Sequence, residues 1–184
     1  MEQKQSKVPG QMSPEDEVGH MENRLPRIES VKMDGPSTVR VRWKGQRSAD
    51  IVDLAGWIAT GGEILAPLKD PGVFTRAGVG GYGSAVEWDD GDLAIDAVHL
   101  KLLADAQRPF DNNQLREWQH LVQISNADAA DLVGVSASTW ASYRVSAKIP
   151  QSVAIVCKAS MRDPLWMQAY LKPRTAGRPR KAAE

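Results

Sequence analysis

The chain has 184 residues, 42% of them apolar and 25% charged, with a formal net charge of zero and a single cysteine. Such usage belongs to globular chains, and no apolar run approaches the roughly 18 residues that a membrane span requires. One cysteine excludes an internal disulfide framework and any all-cysteine zinc site.

Residues 1–20 lack the apolar core of a secretory signal, so a cytoplasmic protein is expected. The neutral total conceals an asymmetry. Residues 1–110 hold 13 Lys and Arg against 17 Asp and Glu, whereas residues 111–184 hold 10 against 6. Residues 111–171 are balanced at 5 and 5, and residues 172–184 carry 5 against 1, so the excess positive charge lies in the tail. The length suits two small domains rather than one large one. The expected organisation is a disordered tail at 1–23, an α+β domain at 24–107, a helical domain at 111–171 and a basic disordered tail at 172–184. The fold class is therefore α+β, a small amino-terminal α+β domain followed by an all-α bundle.

In chain order, residues 1–23 are rich in Glu, Gln, Lys, Ser and Pro and hold little that could offset the entropy of ordering. The segment from Arg24 to Met33 sets Ile28, Val31 and Met33 against polar neighbours. Val39, Val41 and Trp43 alternate with Arg40 and Arg42, the period of a half-buried strand. Asp34-Gly35-Pro36-Ser37 supplies the turn between them, making a hairpin. A third strand is predicted at Ser48 to Leu54 and a fourth at Ser84 to Trp88, closed by Asp89-Asp90-Gly91. Between them, Ala66 to Phe74 predicts a short helical or turn segment that packs Leu68, Val73 and Phe74 onto the sheet. Asp96 to Ala106 spaces Ala97, Leu100, Leu103 and Ala104 as a helix does. Strands and helices do not alternate as a nucleotide-binding parallel sheet would need.

Two steps in this half, Ala66-Pro67-Leu68-Lys69-Asp70-Pro71 and Trp88-Asp89-Asp90-Gly91-Asp92-Leu93, resemble a short bacterial family known as domain of unknown function 2442. The likeness covers Arg24 to Leu103. It implies a small α+β fold, frequent occurrence beside small toxin-like genes or fused to a helix-turn-helix, and no established catalytic residue.

In the carboxyl-terminal half, Asn112 or Asn113 can cap a helix whose apolar face is Leu115, Trp118, Leu121 and Val122. Ser125, with Asp128 three residues on, opens a second helix to about Val133. Gly134 permits a tight turn, Val135 is an apolar plug, and Ser136 caps a third helix with Trp140 and Tyr143 on its inner side. A fourth helix, Gln151 to Met161, is predicted to bury Val153, Ile155, Val156 and Ala159. A fifth, Pro164 to Leu171, would close the bundle with Leu165, Trp166 and Tyr170.

The run Ser125, Asn126, Ala129, Ala130, Val133, Gly134, Val135, Ser136, Thr139 and Trp140 resembles the phage-repressor helix-turn-helix in register. That resemblance implies a third helix lying in a major groove of double-stranded DNA, with Asn126 on a phosphate. The candidate DNA-binding residues are Asn126, Ser136, Ala137, Ser138, Ser142, Arg144 and Lys148. Ala and Ser cannot make the bidentate contacts by which Arg reads guanine or Gln reads adenine, so direct readout is expected to be poor.

The tail offers Arg178, Arg180 and Lys181 as further DNA contacts. Gly177-Arg178-Pro179 resembles the centre of an AT-hook, which places Arg in the narrow minor groove of A·T-rich DNA. Ala176 stands where the hook carries Arg, and an ordinary solvated basic tail remains the alternative.

Other features point to bland roles. Gly78 to Gly83 fits the letters of a dinucleotide-binding loop but has no strand before it and no helix after it, so a flexible loop is predicted. His20, His99 and His120 lie apart, without Cys or carboxylate at ligand spacing, and no metal is expected. Glu87, Asp89, Asp90, Asp92 and Asp96 read as a solvated turn, and Cys157 as a small core residue. Three tryptophans in each half suggest two aromatic cores.

No catalytic residue and no cofactor is expected. The sequence thus leads to a non-enzymatic, DNA-binding transcriptional regulator, as monomer or homodimer. The alternative is a protein-binding module, an antitoxin-like partner of a small toxin, whose helical domain serves packing or dimerisation.

Overall fold

The structure, a computed structural model, describes residues 25–172. The expected tail at 1–23, and that beyond Lys172 with Arg178, Arg180 and Lys181, lie outside the described residues. The chain divides into two compact units, residues 1–101 and 102–184. The fold is α+β, with its strands in the first unit and the second unit helical among the described residues.

In the first unit, β1 (Ile28–Met33), β2 (Thr38–Trp43) and β3 (Ala49–Asp53) form an antiparallel sheet in sequence order. Alternation sets the faces of β2: Val39, Val41 and Trp43 are buried. On its other face Arg40 pairs with Asp34 at 2.8 Å and Arg42 with Glu29 at 3.0 Å. Surface pairs of this kind contribute little. The sheet is held by the buried face. The uneven spacing of Ile28 and Val31 in β1 has a structural reason, because the register shifts between Ile28 and Ser30. This bulge turns Ile28 into the core.

Short helices follow as α1 (Ala55–Thr60), α2 (Gly62–Leu65) and, after a 3₁₀ turn at Ala66–Lys69, α3 (Pro71–Phe74). Asp70 caps α3 through the Gly72 N–H at 2.7 Å, and Leu68 and Phe74 are buried as expected. A second antiparallel sheet joins β4 (Gly78–Val79), β5 (Ala85–Trp88) and β6 (Leu93–Asp96). Gly78 to Gly83 is thus not a free loop but an edge strand followed by a 3₁₀ turn. Trp88 is fully buried, packs on Phe74 and Trp57, and donates from Nε1 to the Phe74 carbonyl at 2.9 Å. Asp89, in the acidic run, pairs with Arg76 at 2.6 Å. Among the described residues, no group of three His, Cys, Asp or Glu could hold a metal ion, and no helix is long and apolar enough to cross a membrane. The division between units falls within α4 (Ala97–Gln107).

The second unit contains α5 (Asn112–Val122), α6 (Asn126–Val133), α7 (Ala137–Val145), α8 (Gln151–Arg162) and α9 (Leu165–Tyr170). Its core is Leu115, Trp118, Ala129, Ala130, Trp140, Val153 and Cys157. Four expectations are corrected here. Asp111, not Asn112 or Asn113, caps α5, in a reciprocal capping box with Gln114. Leu121 is 70% exposed, and Gln119 occupies the buried position instead. Ile155 is exposed, and α8 buries Cys157 and Ser160 beside Val153, the i, i+4, i+7 line of one helical face. In α9, Leu165, Trp166 and Tyr170 face outward, and Met167 alone of that helix packs on the core.

Two glycines hold the left-handed region for different reasons. Gly134 has φ of 73° with open space where a Cβ would stand, whereas a Cβ on Gly83, at φ 74°, would lie 2.2 Å from the Ile28 carbonyl oxygen. Gly134→Ala should cost about 1–2 kcal/mol of backbone strain, and Gly83→Ala at least twice as much, since the atom in the way is backbone. Urea denaturation of the two variants, compared with the parent, measures the difference. Burial pushes the Cys157 thiol up to about 12. Below its unfolded pKa the thiol is neutral in both states, and as pH rises from there to the folded value the unfolded chain ionises first, so stability falls across that window. The protein should therefore weaken between about pH 9 and 12, less so as Cys157→Ala. Cys157 should react with a thiol reagent only on unfolding.

Candidate nucleic-acid interface

The run expected to form a helix-turn-helix is α6, the link at Gly134 to Ser136, and α7. Each helix begins with a serine whose hydroxyl accepts a backbone N–H: Ser125 from Asp128 at 3.1 Å and Ser136 from Thr139 at 3.0 Å. These bonds satisfy donors that a helix start leaves open. Gly134 ends α6 by donating to the Asp131 carbonyl, and the next N–H, of Val135, returns to the Ala130 carbonyl at 2.9 Å. This doubled closure reverses the chain within three residues and carries Val135 onto the core.

The orientation of α7 is set by Trp140. Its indole is fully buried, meets Trp118 edge to face at 5.9 Å between centroids, and donates from Nε1 to Gln119 Oε1 at 3.0 Å. With Trp140 inward, Ala137, Ser138 and Ser142 are exposed. Asn112 ties the far end of α7 to α5, giving hydrogen bonds from Nδ2 to the Tyr143 and Ala147 carbonyls at 2.6 and 2.8 Å.

The expected contact residues fall into three groups. Ala137, Ser138 and Ser142 share an open surface on α7, but their polar atoms have local partners. Ser142 Oγ donates to the Ser138 carbonyl, and Ser136 Oγ, besides capping, lies 2.9 Å from Ser138 Oγ. Lys148 is exposed in the link from α7 to α8. Asn126 and Arg144 are drawn to each other: Asn126 Oδ1 accepts from Arg144 Nη1 at 3.0 Å and from Gln119 Nε2 at 2.9 Å. Arg144 is half-buried, and its Nε–H is buried with no protein acceptor. Its charge is thus held beside Asn126 rather than extended with the Ala137 face.

Sequence reasoning did not single out Gln119. Its amide bonds Trp140, the Ile124 carbonyl at 3.0 Å and Asn126, so one buried side chain joins α5, α6 and α7. A polar residue at the i+4 position from Leu115, on the buried stripe of an otherwise apolar helix, was the available signal.

No family model matches the chain, and no curated protein matches it. Among solved structures it is similar to one from Nitrosomonas europaea, a protein provisionally described as DNA-binding. The identity is 23%, covering 86% of this chain and 96% of that one, with a TM-score of 0.41. At that level the likeness carries no argument about this protein.

Gln119→Leu removes the acceptor of the Trp140 indole N–H and the donor to the Ile124 carbonyl while keeping most of the volume. An orphaned buried group costs about 1–3 kcal/mol. The variant should lose about 2–3 kcal/mol in urea denaturation, and the Trp140 Nε1–H resonance should move, whereas Leu121→Gln on the exposed side should change neither.

Proposed function

We propose that this protein is a DNA-binding transcriptional regulator of a bacterium, docking α7 in a major groove. The observation that carries the reading is the outward face of α7. A helix fixed through Trp140 and entered by a capped Gly134 turn leaves Ala137, Ser138 and Ser142 open at its amino-terminal end. This is the part of a helix-turn-helix that meets base edges. In this reading the first half, which resembles domain of unknown function 2442, is the sensing or partner-binding part.

Because the open face carries only methyl groups and internally bonded hydroxyls, recognition rests on DNA shape and on phosphate contacts more than on base edges. Lys148 and the basic residues after Lys172, among them Arg178, Arg180 and Lys181, supply that charge. Two copies on one site would double the weak contacts. A second reading is a protein-binding module, the antitoxin-like partner of a small toxin. The outward Leu165, Trp166 and Tyr170 of α9 favour it, since contiguous exposed apolar side chains mark interaction surfaces.

A gel shift on duplex DNA from the region upstream of the gene tests the main reading. Retardation that survives competition by unrelated duplex supports a regulator, and none at low salt excludes it. Deleting residues 173–184 should flatten the salt dependence of binding, each lost phosphate contact lowering the log-log slope by about 0.9. Ala137→Gln places a side chain that can reach adenine on an exposed position. Site selection from a random duplex pool should then show a new base preference worth about 1–3 kcal/mol, with the melting temperature unchanged.

A further inference from the structure

α5 from Arg116 onward, the link from α5 to α6 and the last turn of α7 border an open cleft of about 270 Å³ lined by Arg116, Gln119, His120, Gln123, Ile124 and Arg144. No carboxylate lines it. Both guanidinium groups are held by neutral acceptors. Arg116 donates to the Arg144 carbonyl and to Asn113 Oδ1, and Arg144 donates to Asn126 Oδ1. These bonds fix the direction of the two cations without neutralising either, and the buried Arg144 Nε–H still has no acceptor. Gln119 is saturated by Trp140, Ile124 and Asn126, so it is frame rather than ligand.

We propose that this cleft binds a phosphate group. Its size is below the roughly 300–1,000 Å³ of pockets for drug-sized ligands, which suits a single anionic group. Two guanidinium forks on different helices match an anion whose oxygens accept from several directions. A carboxylate offers only two oxygens in one plane. The carbonyl ends of α5 and α7 bring partial negative charge nearby, which the two arginines lining the cleft offset. The phosphate belongs either to a duplex backbone or to a free phosphate ester, and the site does not depend on the DNA reading above.

The test is titration of the isotopically labelled full chain with sodium orthophosphate, and with sodium acetate at matched ionic strength, followed through amide and arginine Nε–Hε resonances. Saturable shifts at Arg144 Nε–Hε and at Gln123 are expected for phosphate, with a dissociation constant on the order of 1 mM. Acetate should give weaker, unsaturated shifts. Arg116→Gln, on an exposed residue, and Arg144→Gln should each weaken phosphate binding by about tenfold or more while the spectrum stays folded. Duplex binding as a function of salt separates the sources. If Arg116→Gln lowers the log-log slope by about 0.9 and orthophosphate competes with duplex, the phosphate is the backbone's. If orthophosphate binds and the slope is unmoved, the ligand is a free phosphate ester. Absence of saturable phosphate shifts, equal response to acetate, or unchanged affinity in folded Arg116→Gln would overturn the proposal. A chain that binds duplex but is silent to orthophosphate loses this inference and keeps the DNA reading; the reverse result does the opposite.

Discussion

Much of the second unit depends on the buried amide of Gln119. Burying an amide is favourable only when its donors and acceptor are met, and here a shift of α5, α6 or α7 breaks at least one bond. The constraint is therefore directional in a way that apolar packing is not. Leu115, Trp118 and Val153 would tolerate small rotations of α7, whereas the Trp140 indole must point at Gln119 Oε1. Through Asn126 the same amide extends to Arg144, so the placement of a charge at the surface follows from a hydrogen bond in the core.

Tryptophan is used in both units as a large apolar body with one polar point to satisfy. Trp43 donates to Asp50 at 2.7 Å and Trp88 to the Phe74 carbonyl; Trp118 donates to Ser160 at 2.9 Å, whose hydroxyl in turn donates to the Cys157 carbonyl. Each partner lies on a different segment from the indole it serves, and each bond selects one rotamer of a side chain that packing alone would leave freer. The buried Ser160 acts as an adaptor, because one hydroxyl accepts from an indole and donates to its own helix.

What the sequence makes legible here is local. Ser125, Gly134 and Ser136 announce their roles because a cap or a left-handed turn is decided within four residues, and the period of Val39, Val41 and Trp43 fixes a strand face without knowledge of the partner. The illegible parts depend on distant neighbours. β4 and β6 have two and four residues and exist through pairing with β5. Leu121 and Ile155 are as apolar as the residues that are buried, and only the direction from which other helices arrive decides against them. The lateral contact of Asn126 with Arg144 joins residues 18 apart, and the helix-turn-helix pattern specifies the position of each without specifying that they meet.

The bulge in β1 also matters at the margin of the sheet. β1 ends its three-stranded sheet, where the turn at Gly81–Gly83 already packs against Ile28, and a flat edge would offer its remaining unpaired N–H and C=O groups as a template to any other extended chain. Shifting the register between Ile28 and Ser30 spoils the even spacing such a template needs, and Glu29 and Lys32 place opposite charges along the same strand. At the other edge, Asp50 and Asp53 put carboxylates on β3. Both margins of this small sheet thereby carry features that work against strand addition by a second molecule.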